Sequence, residues 1–145
     1  MSIEIKNEKW KDLFDKQSSK TTLEEENKSL VDSYYFIFDC HTNFISFINT
    51  AFHTITGYNA STFTVEDLIE IIHPEDKNYF FECEEKDLLF KNKLRFNEHF
   101  NYLYSYTYRI KTIDGSYITI KQTCQALEVN NKGDLTKTLV IHQRI

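Results

Sequence analysis

Glycine and proline are scarce, at three and one among 145 residues. So few breakers leave no glycine-rich phosphate loop and no flexible linker. Each of the four falls where a turn or a helix start is wanted, which suits one compact domain. Cysteine is also sparse and odd in number: Cys40, Cys83 and Cys124 lie far apart, mostly inside apolar patterns. That excludes a disulfide framework and reads as reduced, buried thiols of a cytoplasmic protein. Cys-x-x-Cys and His-x-x-x-His spacings are absent, which removes the support for a metal site. No apolar run reaches membrane-spanning length, and the first residues lack a signal-peptide pattern. Positive charge is not in excess either. The formal net charge is −5, which argues against direct nucleic acid binding by this segment. Five histidines, three cysteines and many carboxylates show no spacing that suggests a catalytic triad. The expectation is therefore a protein that is not an enzyme.

What is present is enough for one buried core. Hydrophobic residues make up 41% and charged residues 27%, ordinary for a globular domain of this length. Aromatics reach 15%, but Phe, Tyr, Ile, Asn and Lys are enriched together, as an AT-rich coding sequence would produce. The aromatic excess alone is thus no argument for a ligand.

The strongest pattern runs over residues 102–126. Tyr102, Tyr104, Tyr106, Tyr108 and Ile110 share one phase of a period-two alternation. Asp114-Gly115 suits the two positive φ angles of a tight hairpin turn. On the return strand Ile118, Ile120, Cys124 and Ala126 share a phase. Upstream, residues 34–39 and 44–49 read as a hairpin around Cys40-His41-Thr42-Asn43. Asn49 suits the N-cap of a short helix over 50–56, closed by Gly57 in the left-handed region. Residues 66–72 and 77–89 read as two further helices, with Pro74, Glu75 and Asp76 in the first turn of the second, where carboxylates favour the positive dipole end. A last strand spans 135–145. Residues 1–31 form an N-terminal helical extension. Trp10, Leu13 and Phe14 make one stripe, Thr21/Glu24 or Thr22/Glu25 a capping box, and Leu23 and Leu30 lie seven apart. That arm either lies on its own domain or joins two copies in a homodimer.

Three segments carry a family likeness. Phe47-Ile48-Asn49 followed by Phe52 and Ile55-Thr56-Gly57-Tyr58 is similar to "N-x-x-F-x-x-x-T-G-Y". Ile72-His73-Pro74-Glu75-Asp76 is similar to "I-H-P-E-D". Tyr108-Arg109-Ile110 through Asp114-Gly115-Ser116-Tyr117 is similar to "Y-R-x-x-x-x-D-G-S". Together, over residues 32–145, they resemble the PAS domain family. The resemblance implies an α+β fold: a five-stranded antiparallel sheet with short helices on one face, preceded by the helical arm. It also implies a cytoplasmic signal-sensing and dimerisation domain, expected here in a bacterial transcription regulator with a helix-turn-helix effector. A histidine kinase or cyclic-nucleotide enzyme is the second effector class, and a ligand-free dimerisation scaffold the different-class alternative. Two departures matter. The chain ends Gln143-Arg144-Ile145 where many members continue from Asp-Ile-Thr into a signalling helix, so the output connection is expected to be missing or altered. The light-sensing branch carries "N-C-R-F-L-Q" where this chain has Asn59-Ala60-Ser61-Thr62-Phe63-Thr64, which disfavours flavin. Haem-binding members use a histidine on the long helix, and none lies between His73 and His99, which disfavours haem.

If the helices cover one sheet face, the space between takes either packed side chains or a small apolar ligand. The candidates to line it are Ile37, Phe52, Ile55 and Ile72, with Phe80 and Cys83 from the long helix. From the long strands come Tyr106, Tyr108, Ile120, Cys124 and Ile141. Tyrosines facing inward would need hydroxyl partners from protein, water or ligand. The dimer-interface candidates are Trp10, Leu13, Phe14, Leu23 and Leu30.

Overall fold

The computed structural model describes residues 32–94 and 98–145. Trp10, Leu13, Phe14, Leu23, Leu30 and the two capping boxes expected around Thr21 and Thr22 lie outside the described residues. In chain order the elements are β1 (Ser33–Asp39), β2 (Phe44–Ile48), α1 (Ala51–Thr56), α2 (Val65–Ile71) and α3 (Lys77–Lys91). A 3-10 turn (Glu98–Asn101), β3 (Leu103–Lys111), β4 (Tyr117–Val129) and β5 (Leu135–Arg144) follow. The strands form one antiparallel sheet in the order β2-β1-β5-β4-β3. The last strand therefore enters the middle and joins the N-terminal hairpin to the long one. Among the described residues no helix is long and apolar enough to cross a membrane.

The alternation in β3 and β4 does what its period dictates. Tyr106, Tyr108 and Ile110 are buried on one face, and Ile120 and Cys124 meet them from β4. Tyr108 sits opposite Ile120 and Tyr104 opposite Cys124. On β1 the buried phase is Tyr34 and Phe36, continued by half-buried Phe38, and its partners on β5 are His142, Val140 and Thr138. Ile37 and Ile141 consequently face the other side of the sheet, contrary to their expected place beneath the helices. Both strands carry apolar residues on both phases, so alternation could not choose the inner one.

Several local expectations give way to longer-range bonds. Asn49 does not cap α1; Thr50 holds that position without a side-chain bond. The Asn49 side chain instead accepts from the Tyr35 N–H at 3.0 Å, tying the end of β2 to β1. Asp76 stands at the N-cap of α3, but its side chain does not cap the helix. Its carboxylate takes Arg109 N–H, Nε and Nη2 at 2.9, 2.8 and 2.8 Å, and those bonds hold its pKa below the usual carboxylate range. Helix α3 starts at Lys77, as expected, but with no acidic residue in its first turn. Thr64 and Asp67, which the sequence reading did not single out, form a reciprocal capping box that starts α2. Ile72 leaves that helix in an extended conformation and bridges to Ile110.

The tip of the long hairpin is wider than a two-residue turn. Gly115 is at φ 91°, whereas Asp114 has no positive φ. Thr112 N–H bonds Ser116 O at 2.8 Å and Gly115 N–H bonds Thr112 O at 3.0 Å, so five residues make the connection. The Asp114 carboxylate accepts from Thr112 Oγ1, Ser116 N–H and Ser116 Oγ, and those bonds, Thr112's foremost, lower its pKa to about 2. This tip also reaches α1, where Ile113 N–H bonds Thr56 O at 2.9 Å. Gly57 stands at that junction with φ 82°, and a Cβ there would meet Ile113 Cγ2 at 2.2 Å. Gly57→Ala thus combines left-handed strain with a collision. We expect a loss of about 2 kcal/mol, read as a thermal midpoint lower by roughly 8 °C or more; an unchanged midpoint would contradict this packing.

Candidate functional site

The inner face of the sheet is divided. Beneath the start of α3 it is filled: Phe80 and Cys83 pack with Ile72, Tyr106, Tyr108, Ile110 and Ile120 in one buried cluster. Rings pack edge to face here, with Phe80 and Tyr108 centroids 5.2 Å apart. A second cluster joins Phe36, Ile45, Leu68, Cys124 and Val140, and a third joins Tyr34, Ala51 and Phe52, with Ile55 packed against it.

A line of polar groups runs through this apolar layer. His142 on β5 is 1% exposed. Its Nδ1 lies 2.6 Å from the Tyr34 hydroxyl and its Nε2 lies 2.8 Å from Gln122 Oε1. Gln122 Oε1 also accepts from the Tyr108 hydroxyl at 2.6 Å. An amide oxygen only accepts, so His142 carries its proton on Nε2 and takes the Tyr34 proton on Nδ1. The amide nitrogen of Gln122 then donates to the Tyr106 hydroxyl at 3.0 Å and to Glu84 Oε1 on α3 at 3.4 Å. Burial pushes the Tyr34, Tyr106 and Tyr108 hydroxyls far above their usual range and lowers His142 from 6.5 to about 3. The inward tyrosines thus find their partners within the protein. Gln122 and His142 share the phase of Ile120, Cys124 and Val140, yet the sequence reading passed over both. A polar residue on an apolar strand phase was the signal.

Beneath the rest of α3 the layer is open. A cavity of about 690 Å³ lies between α3, α2 and the inner face of the sheet, within the range of small-molecule sites. Its floor is Phe36, Phe38, Ile45, Cys124 and Val140. Its roof on α3 begins with Phe80 and continues as Glu84, Asp87, Leu88 and Lys91. His99, the β4–β5 turn at Gly133 and Asp134, and exposed His41 and Asn43 also line it. Burial raises the Glu84 pKa, opposed by bonds from Tyr106 and Gln122. Asp87, only 3% exposed, pairs through Oδ2 with Lys91 Nζ at 2.7 Å. Burial disfavours the Lys91 charge, but Asp87 more than compensates and its pKa is raised.

Of the eleven residues expected to line a ligand space, Phe80 and Cys124 line this cavity. Ile72, Cys83, Tyr106, Tyr108 and Ile120 are in the filled cluster, Phe52 and Ile55 pack around α1, and Ile37 and Ile141 face outward. The polar roof was missed because Glu84, Asp87 and Lys91 look like the solvated face of a surface helix. Helix α3 carries no histidine. Cys40 and Cys124, the two thiols at the cavity, have their pKa values raised by burial, so neither offers a ready thiolate.

Comparison with known proteins follows this geometry. A family model described as "PAS fold" matches residues 45–142. No curated protein matches the chain. Among solved structures, the N-terminal domain of a diguanylate cyclase with PAS/PAC sensor from Marinobacter aquaeolei is 16% identical, with a TM-score of 0.62 over 77% of this chain and 94% of that one. A sensory box histidine kinase/response regulator from Burkholderia thailandensis E264 is 21% identical, with a TM-score of 0.58 over 81% of this chain and 79% of that one. A Light-Oxygen-Voltage domain studied with a flavin analogue is 18% identical, with a TM-score of 0.60 over 88% and 87%. At these identities the structures show a shared fold.

Neutral, buried His142 makes stability depend on pH. Its folded pKa lies below the unfolded value, so the unfolded chain binds the extra proton between about 6.5 and 3 and stability falls as the medium is acidified through that window. Each pH unit costs up to about 1.4 kcal/mol; raised Glu84 acts in the opposite sense. Urea unfolding at pH 7 and pH 5 should show the wild type losing more stability than His142→Phe. Equal losses would place the His142 proton elsewhere.

Proposed function

The chain belongs to the PAS fold family, and from that premise we propose that it is the sensory module of a cytoplasmic signalling protein, binding a small molecule beneath α3. The observation that carries this reading is the 690 Å³ space with an apolar floor and a polar roof. We read it as a binding site: burial raises the pKa of Cys124 on its floor and so favours the protonated thiol. An occupant touching Glu84 touches the end of the Gln122–His142–Tyr34 line, which crosses from α3 through β4 and β5 to β1. Binding would shift that line and so the sheet, and the sheet would pass the change to an effector.

Transcription control through a helix-turn-helix module is one proposed output. The diguanylate cyclase and histidine kinase named among the similar folds favour the other, a cyclic-nucleotide or phosphorylation enzyme. We place a homodimer contact on the N-terminal arm, at Trp10, Leu13, Phe14, Leu23 and Leu30, together with the outer sheet face of Tyr35, Ile37, Phe47 and Ile141. Light scattering at high concentration should return twice the 17.3 kDa chain mass, and a monomer there would remove this contact.

Val140→Phe tests the cavity. If the space is real, the larger ring enters it, the thermal midpoint stays within roughly 5 °C, and uptake of indole, phenol or naphthalene seen by ligand-observed NMR is lost. A solid dimerisation scaffold would instead bind none of these as wild type, and the added ring would cost about 1–3 kcal/mol through overpacking.

A further inference from the structure

The proposed cavity is lined by two buried polar side chains with an unused bonding position, and both positions are acceptors. Asp87 is 3% exposed and His99 is 4% exposed. Asp87 Oδ2 is taken by Lys91 and the Tyr102 hydroxyl also lies against this carboxylate, while Oδ1 has no partner among the described residues. His99 Nε2 lies 3.1 Å from the Gly133 carbonyl, which only accepts, so the ring proton is on Nε2. That leaves His99 Nδ1 as a lone pair, and it too is unpartnered. Burial, foremost, and the nearby Lys91 charge hold the His99 pKa down, so the ring is neutral and Nδ1 stays an acceptor. Lys91 thus sits beside both groups.

A buried acceptor left without a donor is costly, and native interiors rarely tolerate two around one space. Around them the cavity offers Phe36, Phe38, Ile45, Leu68 and Val140, which can hold an apolar body but bond nothing. Of the polar groups on the floor, Gln122 already uses both ends of its amide and the Thr138 hydroxyl lies 3.4 Å from Cys40 Sγ. The specificity of the site therefore rests with Asp87 and His99.

We infer that the natural occupant is a small, mostly apolar molecule carrying N–H or O–H donors at one end, seated with that end toward Asp87 Oδ1 and His99 Nδ1. The inference rests on the ligand-cavity reading above and narrows it. It excludes plain hydrocarbons, whose binding would leave both acceptors dry and unpaired. It also excludes ligands whose polar end is a carboxylate or phosphate, which would bring an anion against Asp87 and Glu84.

The experiment compares probe pairs in which methylation removes the donor: indole with 1-methylindole, phenol with anisole, and aniline with N,N-dimethylaniline. Dissociation constants are measured by NMR titration on the unaltered chain. The donor-bearing member of each pair should bind at least about tenfold tighter, equivalent to ~1.4 kcal/mol. Asp87→Asn, which keeps the shape but turns one oxygen into a donor group, should shrink that ratio severalfold. Equal affinities within the pairs would overturn the donor requirement, with water supplying the missing bonds, and leave the cavity reading standing. No binding by any of the six would overturn the ligand-cavity reading and this inference with it.

Discussion

A buried charge cannot be pressed flat against an apolar sheet, and that constraint governs this domain. Desolvating a carboxylate costs several kcal/mol unless bonds replace its water. The inward face of α3 begins with Phe80 and Cys83, which lie down on Tyr106, Tyr108 and Ile120. One turn later the same face presents Glu84, Asp87 and Lys91. Those side chains occupy the height between helix and sheet with an ion pair and leave unfilled volume beneath. One helix thus seals half the sheet and roofs a cavity over the other half. The apolar floor would gain from a helix packed on it, at about 25 cal/mol per Å² buried.

The polar groups of the sheet beneath satisfy one another. Tyr34, His142, Gln122, Tyr108 and Tyr106 come from four strands, and each finds its partner on another strand. Such a network fixes register as well as energy, since a one-residue slip of β5 would carry His142 to the opposite face. Among the described residues its side chains are hydrogen-bonded to the helices through Glu84. The groups that can feel an occupant and the groups that hold β1, β4 and β5 together are therefore in bonding contact.

The fold was legible in the sequence to the extent that it rests on period-two alternation and local turn chemistry. The Tyr102–Ile110 phase, Gly57 at a helix end and a single antiparallel sheet follow from such signals. Asn49 and Asp76 were misread for one reason. Each has the chemistry of a helix cap, but a partner distant in sequence, the Tyr35 amide or Arg109, outcompetes the local bond. Ile37 and Ile141 were placed on the wrong face because β1 and β5 are apolar on both. The site was less legible still. Apolar residues were sought, and the filled half of the core supplied most of them, whereas the open half is distinguished by polar residues on a helix that reads as solvent-facing.

The measurement that bears most directly on the charged roof is urea unfolding of Asp87→Leu, Lys91→Leu and the double variant. If the pair is retained to hold a space open, each single change strands a buried charge and costs about 3–5 kcal/mol. The double variant should then match or exceed the wild type, since α3 can settle onto Phe36, Phe38 and Val140. A double variant as unstable as the singles would contradict the account, because the pair would then be a source of stability and not the spacer beneath α3.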